Sequence, residues 1–165
     1  MPRTYDHAGV RFQYPDNWHL DESAEGDDQS QELAESQTVS VSSPGGAFWT
    51  VVRHDANVEP TEAVETSLRA MRDIYPDLDA ETAEEDIAQH TLRGYDLNFI
   101  CLDLTNTTLI RGFRTANASY LILCQADDRE FEQVKLVFQA ITTSLMQGLT
   151  PQLEASWPPK RMFPR

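Results

Sequence analysis

Nothing in this sequence is built to cross a membrane. No run approaches the roughly 18 apolar residues that a helical span requires, and the apolar stretch Tyr120–Cys124 is far shorter. The first residues hold no apolar core of signal-peptide length, being interrupted by Asp6, His7, Arg11 and Pro15. Cysteine is scarce: Cys101 and Cys124 are the whole supply, which excludes a disulfide scaffold and an all-cysteine zinc site. Both lie in apolar company, so they are expected mid-strand as buried, reduced thiols, as in a cytoplasmic protein. The four histidines, His7, His19, His54 and His90, show no metal-ligand spacing. No Gly-x-Ser-x-Gly elbow, phosphate-binding loop or dinucleotide fingerprint occurs. A calcium loop starting at Asp77 fails at its sixth and twelfth positions, Thr82 and Ala88, where Gly and Glu are needed. The sequence therefore predicts no catalytic residue, no metal site and no cofactor.

Positive charge is the next shortage. Thirteen Lys and Arg face 27 Asp and Glu, a net charge of −14. Two segments without a basic residue carry much of the excess. One holds Asp21, Glu22, Glu25, Asp27, Asp28, Glu32 and Glu35, and the other Asp77, Asp79, Glu81, Glu84, Glu85 and Asp86. Such a field repels phosphate backbones and anionic headgroups, which argues against nucleic-acid and membrane partners. It suits a basic protein partner, although solvated loops that keep the protein soluble read the same way. The segment 21–36 reads as an acidic loop insertion, and 77–86 as an exposed connection.

What is present is enough for one core. A hydrophobic fraction of 40% over 165 residues suits a single domain, taken as residues 1–148, with a proline-rich, basic tail at 149–165. Val10–Tyr14 alternates as a strand, and Pro15-Asp16-Asn17 supplies turn chemistry that folds Trp18 back over the core. Thr38–Ser43 and Ala47–His54, joined by Pro44-Gly45-Gly46, read as a hairpin. A helix opens at Thr61, carries the stripe Val64, Leu68, Met71 and Tyr75, and ends at Pro76. Strands at Ile87–Leu92 (ended by Arg93-Gly94), Tyr95–Leu104, Leu109–Thr115 and Tyr120–Ala126 follow without intervening helices, which implies antiparallel pairing. Asn106 and Asn117 match the N-glycosylation pattern and are read as turn residues. Asp127-Asp128 caps a last helix with the stripe Phe131, Val134, Phe138, Ile141 and Leu145, expected to stop near Gly148. The class is α+β: an antiparallel sheet with helices packed on it, one on each face.

Phe12-x-Tyr14-Pro15-x-x-Trp18, followed by a hairpin, a helix opened by Thr61-x-x, a run of strands and a final helix through Thr142-Thr143-Ser144-Leu145, resembles the PsbP-like superfamily. That superfamily joins the PsbP subunit of photosystem II, the Ran-binding Mog protein, DcrB-type proteins and chaperones of type VI secretion effectors. The resemblance implies an α/β/α sandwich and a binding or assembly role without catalysis. Members use different surfaces, so no functional residue is carried over. The acidic insertion and the proline-rich tail depart from the pattern, as does the lack of the lipoprotein signal expected of DcrB-type members.

The expectation is a non-catalytic, cytoplasmic protein-binding or chaperone-type domain with a protein partner of basic character. The alternative is a small-molecule-binding domain or an unusual hydrolase with a pocket between sheet and helix. The side chains singled out for binding are Trp18, Trp49, His54 and, in the tail, Trp157.

Overall fold

The computed structural model describes residues 1–22 and 36–155. A short hairpin comes first, β1 (Arg3–His7) and β2 (Val10–Tyr14), turned by Ala8 and Gly9. Both turn residues have positive φ, at 53° and 89°, the geometry whose twist matches paired strands. Seven strands then build one antiparallel sheet: β3 (His19–Glu22), β4 (Gln37–Ser42), β5 (Phe48–Asp55), β6 (Asp79–Ile87), β7 (His90–Cys101), β8 (Leu104–Arg114) and β9 (Ala118–Asp127). Their spatial order is β3-β4-β5-β9-β8-β7-β6. Helix α1 (Pro60–Ile74) packs on one face and α2 (Asp128–Ala155) on the other.

Strand alternation sorts the core into two layers. On the α1 side Leu97, Ile110 and Leu121 meet Val64 and Leu68 of the helix. On the α2 side Trp49, Val51, Ile122 and Cys124 meet Phe138, Ile141 and Leu145. The β1–β2 hairpin adds Tyr5, Val10, Phe12 and Tyr14 to this second layer. The antiparallel α/β/α sandwich read from the sequence is the one observed. The expected cap on α2 is also in place, with the Asp127 carboxylate accepting the Glu130 backbone N–H at 3.0 Å.

Several segments differ from their sequence reading. The acidic segment 77–86 is no connection: from Asp79 on it is β6, the edge strand, in nine-residue register with β7. Pairing with β7 overrides its poor strand composition. Asp21 and Glu22 belong to β3, paired with Ser40 and Val39; Glu25, Asp27, Asp28, Glu32 and Glu35 lie outside the described residues. Ile87–Leu92 contains a turn at Ala88-Gln89, and Tyr95–Leu104 contains another at Leu102-Asp103, so the strand boundaries fall elsewhere. Cys101 accordingly ends β7, half-buried, whereas Cys124 is buried within β9. Asn106 pairs with Phe99 inside β8; Asn117 does sit between strands.

Two glycines do the opposite of what their position suggested. Gly94 lies inside β7 because the strands crowd there: a Cβ would stand 1.9 Å from the Ile110 carbonyl oxygen. Gly148 lies inside α2, where an added Cβ would make only ordinary contact with β2, 3.5 Å from the Arg11 carbonyl oxygen. The apolar stripe continues past it to buried Leu149, and the helix runs to Ala155. Gly94→Ala is expected to cost about 3 kcal/mol or more, roughly a 10 °C fall in melting temperature; an unchanged thermal scan would contradict the crowding.

Candidate functional site

Trp18 and Trp49, singled out in the sequence, are core elements. Trp49 is fully buried, its ring 4.8 Å from Phe12 and its indole N–H donating to Thr142 Oγ1 at 2.8 Å. Trp18 is buried edge-on against Phe138, with ring centroids 6.1 Å apart. His54 is half-buried near the end of β5, opposite Ser119, and burial pushes its imidazole pKa down. Strand alternation turns it to the α1 side, away from Trp49. Trp157 lies outside the described residues. The fold thus brings Trp18 and Trp49 into one core and leaves His54 apart.

Groups with chemical potential are held in structural roles. Burial pushes the Cys124 thiol far up, which keeps it protonated and inert. Cys101 Sγ accepts the Tyr75 hydroxyl at 3.7 Å. Among the described residues neither cysteine is hydrogen-bonded to a histidine, and no three His, Cys, Asp or Glu side chains group as metal ligands. A cleft of about 250 Å³ does separate the sheet from α2, walled by Phe131 and Phe138. Its central group is Arg111 rather than a tryptophan or His54. Arg111 Nε donates to Glu85 at 2.7 Å, Nη2 to Asp96 at 2.8 Å, and Nη1 to the Tyr95 and Ile110 carbonyls at 3.1 Å each. Burial works against this charge, but the two carboxylates more than offset it. So engaged, Arg111 ties β6, β7 and β8 together and offers little to an anionic ligand.

The least conventional surface is the end of the sheet where β7 turns into β8. Ile74 and Ile100 are both exposed and share a cleft of about 570 Å³ with Asp77, Asp79 and Asp128. No Lys or Arg lines it. Leu102 and Leu104, on the adjoining turn, are 90% and 40% exposed. Leu102 and Asp103 form that turn with φ of 54° and 64°, a left-handed conformation that costs a non-glycine residue about 1–2 kcal/mol. A large apolar side chain has been kept in strained backbone and pointed at water. The sequence hid this, since Ile100-Cys-Leu-Asp-Leu104 contains no Gly or Asn to mark a two-residue turn.

No protein-family model and no curated protein matches the sequence. The architecture has counterparts among solved structures. The solution structure of the cyanobacterial PsbP protein, CyanoP, from Synechocystis sp. PCC 6803 superposes with a TM-score of 0.57, covering 87% of this chain and 90% of that one at 11% identity. The fold is PsbP-like. Two further structures of weaker similarity are PA94 from Pseudomonas aeruginosa (TM-score 0.48, 12% identity, 87% and 95% coverage) and LpqN from Mycobacterium tuberculosis, involved in cell envelope biogenesis (0.46, 11%, 86% and 87%).

One buried histidine makes acid a probe of the fold. His90 packs against Phe113 with its Nε2 unpartnered among the described residues, and burial lowers its pKa from the usual 6.5. The unfolded chain therefore takes up this proton first. The contribution to stability is complete above about pH 6.5 and is lost as pH falls through the lowered folded-state pKa. His90→Leu is expected to shrink the drop in melting temperature between pH 7 and pH 5.5, leaving a smaller slope that includes His54. Equal slopes in the two proteins would rule His90 out.

Proposed function

We propose that this is a non-catalytic protein-binding domain of chaperone or assembly type. It receives a partner that carries apolar and basic side chains on the sheet end around the β7–β8 turn. The observation that supports it is Leu102, exposed to 90% at positive φ beside exposed Ile100 and Leu104. Folding gains nothing from that arrangement, since the residue neither packs nor relaxes the turn. Strain of this kind is commonly retained where a surface has work to do, and exposed aliphatic clusters with a polar rim mark interaction sites. The rim here is acidic, with Asp77, Asp79, Asp103 and Asp128, so a basic partner gains long-range attraction that another acidic protein would not. The PsbP-like fold agrees with a role in binding.

Replacing Leu102 and Asp103 with Asn and Gly separates stability from binding. The L102N/D103G protein is expected to be more stable by about 1–2 kcal/mol, because those residues relieve the left-handed turn. It is also expected to lose most of the partner retained by the native protein at low salt, quantified by mass spectrometry from source-cell lysate. Undiminished retention by the stabilised variant would sink the assignment, and so would retention indifferent to salt between 50 and 300 mM as regards the acidic rim.

A further inference from the structure

A second surface is available along the side of the sheet. Strand β6 is its last member, and among the described residues no strand pairs with its outer edge. It presents nine residues, Asp79–Ile87, so its outward backbone N–H and C=O groups form a row long enough to template another strand. The inner edge is held firmly: β6 runs in unbroken register against β7, and Glu85 is bonded to Arg111 two strands away. An incoming chain would meet an edge that is already ordered, which lowers the cost of binding.

The charge on this edge selects what can pair with it. Five of its nine residues are carboxylates. Arg93 answers Glu84 and Arg111 answers Glu85. Among the described residues no cation pairs with Asp79, Glu81 or Asp86. A second copy of this chain is a poor occupant, because antiparallel pairing of β6 with itself sets carboxylates against carboxylates. A strand with Lys or Arg at alternate positions meets the opposite situation. Room for its side chains is present as well, since three clefts border β6. One of about 580 Å³ on the α1 side touches Thr82, Ala83 and Glu84, one of about 570 Å³ reaches Asp79, and the Arg111 cleft of about 250 Å³ reaches Glu85 and Ile87. The first is floored in part by Gly94 and Gly112. Successive side chains of an added strand alternate between the faces of a sheet, and here both faces offer space.

We infer that the outer edge of β6 is a strand-addition site for an extended, basic segment of a partner protein. Main-chain hydrogen bonds supply the affinity, and the carboxylates fix the class of sequence accepted. This rests on the protein-binding reading for the nature of the partner and uses a surface other than the leucine turn.

The test uses a synthetic nine-residue peptide of alternating Lys and Val, and the same peptide N-methylated at every residue. The second keeps the charge and loses every backbone donor. Amide hydrogen exchange of the full-length protein is followed by NMR at low salt. The unmethylated peptide is expected to slow exchange of outward-facing β6 amides by about tenfold or more. The methylated peptide should leave them unchanged, and Glu81→Lys should weaken the unmethylated peptide by about tenfold. The L102N/D103G protein should bind it as the native protein does. Equal binding of the two peptides, protection elsewhere, no protection at millimolar peptide, or loss of binding in L102N/D103G would each overturn strand addition. If β6 is protected while L102N/D103G retains its cellular partner, the leucine-turn reading alone falls.

Discussion

The rest of the structure depends on covering Trp49. Its indole lies on the α2 side of the sheet, where three separate pieces converge on it: the sheet, the β1–β2 hairpin through Phe12, and α2 through Thr142. A buried indole N–H needs an acceptor, and leaving it unpaired costs about 1–3 kcal/mol. That requirement fixes the rotation of α2 about its axis as well as its position. With α2 so placed, Phe138, Ile141 and Leu145 face inward. Ser144, two residues beyond Thr142, then accepts the Gln13 backbone N–H at 2.9 Å.

On the same face, beside buried Leu92 and Phe113, the layer under α2 turns polar around one group. There Arg111 is paired with Glu85 and Asp96. An ion pair whose carboxylates remain partly exposed adds little net stability, but it holds three strands at a fixed spacing. The acidic character of the edge beyond is thereby partly neutralised on the inside and left open on the outside.

The sequence was legible where the chemistry is local. Pro44-Gly45-Gly46 between alternating runs, the apolar stripe of α1, and Asp127 ahead of α2 each carry their own signal, and each element formed as read. The two helices on opposite faces followed from element order. Legibility failed where a distant contact decides. Ala88-Gln89 and Leu102-Asp103 adopt left-handed turns that neither pair favours, because the registers of the strands on either side leave only two residues to connect them. Gly94 looks like a breaker and is instead a point of close approach, while Gly148 is simply carried inside α2. The acidic segment at Asp79–Asp86 carries almost no strand signal and becomes a strand because β7 needs a neighbour. For the binding surfaces the lesson is similar: Trp18 and Trp49 drew attention and proved to be core, while the exposed Leu102 was read as part of a strand.

The bond between Gln13 and Ser144 joins groups 131 residues apart, and it belongs to a larger dependence of β2 on α2. On the ribosome, the hairpin emerges roughly ten seconds before the helix that covers it. Throughout that interval Phe12, Tyr14 and the adjoining strands have no lid, so the apolar layer around Trp49 is open to the surroundings. Completion of this fold therefore waits for α2 to be synthesised, and a nascent chain stalled before it would present its inner sheet face to chaperones or to other chains.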